Sequence, residues 1–171
     1  MNTNSLPKNI NPVQLATQNK QIRGRLPLVQ CERLLPSLRE NTGCVDFSLQ
    51  FMQDDSQRTV VSATMSAELV LECRRCLQSM VYPMRVSVDL AVVADDEAAT
   101  ELPECYEPLL VIDGEVALES LIEDELLLNL PVMPSHSEDE CPAALPINQD
   151  DNELEVHKSP FAVLNKLLRS D

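Results

Sequence analysis

Cysteine and histidine are the side chains of this sequence with the most selective chemistry, and four of them have a suggestive spacing. Cys73-Arg74-Arg75-Cys76 is a C-x-x-C pair, and His136 and Cys141 follow as H-x4-C some sixty residues later. A C-x-x-C at a tight connection can clasp zinc through two thiolates, and a structural zinc site needs two further nitrogen or sulfur ligands. His136 and Cys141 are the candidates to complete a site of three thiolates and one imidazole. Two other readings stay open. The thiols could be buried or loop cysteines without a metal. They could also form a redox pair, because Arg74 and Arg75 would lower a neighbouring thiol pKa. Redox pairs of the thioredoxin kind open a helix, however, whereas this pair falls between two runs that read as antiparallel strands. Cys31, Cys44 and Cys105 belong to no such pattern.

Other catalytic chemistry finds little footing. Gly24, Gly43 and Gly114 are the only glycines and all are isolated, so neither a phosphate-binding loop nor a dinucleotide fingerprint can be written. There is no G-x-S-x-G elbow and no H-E-x-x-H pair. The second histidine, His157, lies in a polar stretch. Carboxylate pairs are too numerous to single one out. The expectation is a protein that is not an enzyme and has no small-molecule substrate.

Glu123, Asp124 and Glu125 are three successive acids, which span about 200° of a helix and cannot share one solvated face. Glu125, beside Leu126 to Leu128, should lie at the apolar boundary and pair with an internal arginine. The other reading makes these acids partner contacts. Arg23, Arg25, Arg33, Arg39, Arg58, Arg74, Arg75 and Arg85 all fall in the first half of the chain. They read as scattered solvated charge or, alternatively, as an RNA-contacting patch to which Arg74 and Arg75 would belong.

The elements that must position these residues follow from periodicity. Val45, Phe47, Leu49 and Phe51 alternate with polar residues, as do Val61, Ala63, Met65, Ala67, Leu69 and Leu71. Val86, Val88, Leu90 and Val92 form a third such run, and the three predict an antiparallel meander. Cys73 to Ser79 connects the second run to the third. Asp95 to Glu104 reads as a loop, and Leu109 to Ile112 as a short apolar run. Leu118, Leu121, Ile122 and Leu126 recur at helical spacing over Val116 to Leu130, and Pro131 stops that helix. Cys31 to Leu38 could form a short helix. Residues 142–158 read as an acidic flexible linker. Ser159-Pro160 then opens an amphipathic helix over 159–171, expected to dock on the domain or on a partner.

The 171 residues fit one domain, 1–141, followed by that linker and helix. Aromatics make up only 3%, so the core must be aliphatic. Six scattered cysteines do not suit a disulfide framework. The first twenty residues lack an apolar signal core, and no stretch approaches the about 18 apolar residues of a membrane span. A reducing cytoplasm is the expected setting. The net charge of −15 is unevenly spread. Residues 1–85 hold 10 Lys/Arg against 7 Asp/Glu, whereas 86–157 hold 20 Asp/Glu and no Lys or Arg. A cation-free stretch is a poor surface for phosphates and suits a basic protein, although acidic chains are also simply soluble.

Several segments together resemble the YceD family. Leu71-Glu72-Cys73-Arg74-Arg75-Cys76-Leu77 is similar to its L-E-C-x-R-C motif, and Leu102-Pro103-Glu104-Cys105-Tyr106-Glu107-Pro108 to its L-P-E-x-Y-E-P segment. Ile122-Glu123-Asp124-Glu125 to Leu130-Pro131, with His136 and Cys141 behind, resembles the acidic helix and its following loop. Pro160-Phe161-Ala162-Val163-Leu164 resembles the C-terminal helix. Relatives look richer in cysteine after the acidic helix, where this chain has Cys141 with His136. The resemblance implies a role in the synthesis, processing or stability of 23S ribosomal RNA, and the charge pattern suggests binding that RNA through the basic half or a basic ribosomal protein through the acidic half. The fold expected is α+β: a curved antiparallel sheet with a few packed helices.

Overall fold

The computed structural model describes residues 6–137 and 139–142. The chain runs β1 (Asn9–Ile10), α1 (Pro12–Thr17), β2 (Gln21–Pro27), β3 (Cys44–Gln53), β4 (Thr59–Glu72), β5 (Ser79–Val93), α2 (Asp96–Thr100), β6 (Glu107–Leu110), β7 (Val116–Ala117) and α3 (Leu118–Leu128). This is an α+β fold, built on an open five-stranded sheet of order β2-β3-β4-β5-β6 with a small β1-β7 pair.

The meander expected from alternation is present as β3, β4 and β5, all antiparallel. Val45, Phe47, Leu49 and Phe51 of β3 and Val61 to Leu71 of β4 are buried at every second position. One core joins this face to Leu118, Leu121, Ile122 and Leu126 of α3 and to Ala16 of α1. Their spacing places the four α3 residues on one stripe, which is why this helix lies on the sheet.

Five expectations change in detail. The sheet is mixed rather than wholly antiparallel, because β6 pairs parallel with β5, Leu90 to Val93 alongside Glu107 to Leu110. Ala91 and Val93 are buried while Val88 and Val92 are only half-buried, so the strict alternation of β5 ends at Leu90. The segment around Cys31 to Leu38 forms not an α-helix but a 3₁₀ turn at Leu35–Ser37, preceded by another at Leu28–Gln30. The acidic stretch from Asp95 contains a short helix, α2, which Asp95 caps by accepting from the Ala98 N–H at 2.8 Å. The helix expected from Val116 starts at Leu118, since Val116 and Ala117 pair with Ile10 and Asn9 in β7. Among the described residues no helix is long and apolar enough to cross a membrane. The expected linker beyond Pro142 and the expected C-terminal helix 159–171 lie outside the described residues.

The β4–β5 hairpin is much longer than its neighbour. β3 pairs with β4 only as far as Asp46 with Ser66, whereas β4 and β5 stay paired out to Glu72 with Ser79. Beyond Ser66 the ribbon would be two-stranded, which is marginal without further support. It is held by an isolated bridge between Glu40 and Val70, and by the Arg39 N–H donating to the Val70 carbonyl at 2.7 Å. Residues 73–78 form the tip of this hairpin.

Candidate metal centre

The tip is a tight turn with both cysteines on it. The Cys73 N–H donates to the Gln78 carbonyl at 2.9 Å and the Leu77 N–H to the Cys73 carbonyl at 2.8 Å. Leu77 adopts φ +61°, a left-handed conformation that closes the turn. The Arg39 guanidinium ion-pairs with Glu72 and donates to the Leu77 carbonyl at 2.9 Å, bracing the turn from outside.

The loop after α3 arrives at this tip. Asn129 ends the helix, its side chain donating to the Glu125 carbonyl at 2.9 Å, and Pro131 follows. The chain then passes Pro134, whose carbonyl accepts from the Arg74 N–H at 2.8 Å. Two residues on, His136 Nδ1 lies 3.4 Å from Cys76 Sγ. A turn in which the Cys141 N–H donates to the Ser137 carbonyl at 3.1 Å brings Cys141 to the same point. The ligand atoms of Cys73, Cys76, His136 and Cys141 all lie within 4.8 Å of one another.

That geometry fits a tetrahedral metal. Two sulfurs bound to one zinc at about 2.3 Å stand about 3.8 Å apart, and a sulfur and a nitrogen slightly closer. The donor set, three sulfurs and an imidazole, is one that zinc favours. Cys73 is buried, and Cys76 and Cys141 are half-buried, so a bound ion would be largely shielded. Burial by itself opposes ionisation of Cys73, but the N–H groups of Cys76, His136 and Arg75 aimed at its sulfur outweigh this. They bring the thiol down to about 5. Burial raises the Cys76 thiol, and the neighbouring sulfurs of Cys73 and Cys141 add to this against a hydrogen bond from the Gln78 N–H. One cysteine is thus ready as a thiolate. Cys76, held back by its neighbours, needs a cation to share the negative charge.

Arg74 and Arg75 flank the cluster and form no ion pair among the described residues. Of the other arginines in the first half, Arg25, Arg33, Arg39 and Arg58 are paired with acids. Half of the supposed basic patch is therefore internally neutralised. The acidic helix also differs from expectation. Glu123, not Glu125, takes the internal arginine. Buried Glu123 accepts from the Arg33 and Leu34 N–H groups at 2.6 and 3.1 Å and from Arg33 Nε at 2.9 Å. Asp124 accepts from Arg33 Nη1 at 2.6 Å. Glu125 is buried with no arginine, and its Oε2 has no hydrogen-bond partner.

Two contributions to the site had no mark in the sequence: the Pro134 carbonyl and the brace from Arg39. Backbone acceptors carry no residue signature, and Arg39 was one of many arginines.

Comparison with known proteins bears on the whole chain. The family model described as large ribosomal RNA subunit accumulation protein YceD matches residues 61–168. A Haemophilus influenzae protein of that same description is 30% identical over 171 residues, covering 95% of this chain and 95% of its own. No solved structure matches. The matched span runs from β4 through the clasped hairpin tip, the acidic helix and the loop bearing His136 and Cys141, so the chain belongs to the YceD family.

Proposed function

We propose that this chain is a non-catalytic cytoplasmic factor supporting the synthesis, processing or stability of 23S ribosomal RNA. It would act by binding that RNA or a basic ribosomal protein. The observation that carries this reading is the end-to-end similarity to a protein named for large ribosomal RNA subunit accumulation. The hairpin tip supports the non-catalytic part. Four protein ligands fill a tetrahedral zinc and leave no open position for substrate, as in structural rather than catalytic sites.

Cys73, Cys76, His136 and Cys141 would hold the zinc, which contributes folding free energy when bound. It would tie the loop after α3 to the end of a projecting hairpin, while Arg74 and Arg75 offset the charge left on three thiolates. Arg74, which is exposed, and Arg75, which is half-buried, would be candidate partner contacts. Glu123 and Asp124 are engaged with Arg33 and serve the fold first. The competing readings are a thiol-redox protein using Cys73 and Cys76, and an acidic adaptor unrelated to ribosomes.

The test is a clean deletion, scored for the ratio of 23S to 16S ribosomal RNA at slow and fast growth. The ratio is expected to fall and to recover with the wild-type gene. An unchanged ratio would remove the ribosomal reading. Metal analysis of protein purified without chelator is expected to return one zinc per chain, and zinc-free protein with an oxidisable Cys73–Cys76 pair would favour the redox reading.

A further inference from the structure

A cleft of about 260 Å³ opens beside the hairpin tip. Three segments line it: 36–39, in and after the second 3₁₀ turn; 71–74, at the end of β4; and 130–134, after α3. The third is held against the second by the Pro134 carbonyl, which accepts from the Arg74 N–H at 2.8 Å, two residues before His136. The clasp at the tip therefore fixes part of the cleft as well as the candidate ligands.

Leucines and prolines supply most of the lining, and the charged groups are Arg39, Glu72 and Arg74. Arg39 and Glu72 ion-pair with each other. The charge left over is that of Arg74, which is exposed and forms no ion pair among the described residues. Residues 130–134 come from the stretch without cations but carry no charge themselves, so no acid opposes Arg74 from that segment. The volume falls below the about 300–1,000 Å³ of pockets that enclose a whole small molecule. It suits one group projecting from a larger partner, an apolar body with an anion beside it. A basic protein segment has the wrong charge for Arg74. An RNA strand has the right combination, because each nucleotide sets a base with two apolar faces next to a phosphate. Bases removed from a helix pack against apolar side chains and stack on guanidinium planes.

We propose that this cleft receives one unpaired base of an RNA strand, with Arg74 on the adjoining phosphate. This rests on the ribosomal reading above and chooses its RNA arm. In a duplex the base is already stacked and paired, so the cleft selects single-stranded loops and ends. The clasped tip has a use in this arrangement: it holds Pro134 and Arg74 together on one site.

The experiment uses the full chain and a short fluorescein-labelled single strand of RNA, mixed in sequence, titrated by anisotropy across a range of salt. Arg74→Gln is expected to weaken binding and to reduce the slope of log affinity against log salt by about 0.7, the share of one single-strand phosphate. Ser37→Leu adds an apolar branch to the lining, with no charge and no ring. It is expected to weaken binding about five- to hundredfold, as loss of one stacked base does, and to leave the slope unchanged. Arg85 gives the comparison, being exposed, without an ion pair among the described residues and outside the cleft. Arg85→Gln should stay within about twofold of wild type. If R74Q disturbs the tip, S37L carries the test, since Ser37 is exposed and lies on another segment. Wild-type affinity in S37L, or equal losses in R74Q and R85Q, would overturn the cleft as the site. So would a duplex of the same sequence that binds as tightly as the single strand. A peptide of alternating Glu and Leu that binds more tightly than the RNA would overturn it too and make the cleft a protein site. In a deletion strain, R74Q and S37L are expected to fail where R85Q restores the 23S to 16S ratio. Full rescue by both, with RNA binding unchanged, would reject the cleft and leave the ribosomal reading standing. A deletion that leaves the ratio unchanged, with the binding losses as expected, would remove the ribosomal reading and support the cleft.

Discussion

Glu123 and Glu125 lie two positions apart on one helix, and the chain uses them in opposite ways. The turn at Arg33 and Leu34 presents two backbone N–H groups to α3, and the Glu123 carboxylate accepts both while also binding Arg33 Nε. Removing that carboxylate would strand the Leu34 N–H in the core and leave the Arg33 guanidinium with Asp124 alone. Glu123→Ala is therefore expected to cost about 2–4 kcal/mol, the range for orphaning buried donors and breaking a part-buried ion pair. Urea unfolding of the variant against wild type would measure it. A loss under about 1 kcal/mol would mean that the turn finds other acceptors, water included. Sequence patterning located three acids that could not all be solvated, but chose the wrong one for the arginine. The α3 backbone carries Glu123 toward the Arg33 turn, and nothing in the local sequence reports where that turn will lie.

At the scale of elements, the hairpin tip shows how a site is built from ordinary turn chemistry. A six-residue connection must reverse the chain and point two sulfurs at one spot. The left-handed residue that closes it is Leu77, whose side chain is 62% exposed. Its side chain contributes little packing, while its backbone stands where residues other than glycine cost about 1–2 kcal/mol. Leu77→Gly is expected to raise stability by about 0.5–1 kcal/mol after allowing for the extra freedom of glycine in the unfolded chain. The gain should appear in urea titrations with and without added zinc. A loss would mean that Leu77 does more at the tip than close the turn. Strands β3, β4 and β5 and the core of α3 were legible because alternation and helical spacing report burial directly. The convergence of Cys73 and Cys76 on His136 and Cys141 was legible as residue types, through the ligand preferences of zinc. The parallel edge strand β6 was not, because four residues are too short to carry a period, and strand direction depends on where the loop from α2 returns. Nor was the separation of β7 from α3, since Val116 fits a strand end and a helix start equally well.

The whole molecule divides its charge along the sequence. The cation-free stretch contributes α2, β6, β7 and α3, so its acids fall on the edge strand β6 and on these shorter elements, none of which carries a cation. Long-range attraction of that kind acts on encounter: it raises the association rate and is screened once salt shortens the reach of the charges below about 10 Å. For binding of oligolysine or a basic ribosomal protein, raising salt from about 0.05 to 0.3 M is therefore expected to slow association steeply and to change dissociation much less, because short-range contacts, once made, hold the partner with little help from the long-range field. Stopped-flow or surface-based kinetics on the full chain would resolve the two rates. An association rate indifferent to salt would mean that the cation-free stretch steers no basic partner, and that its charge serves only to keep the chain from associating with itself.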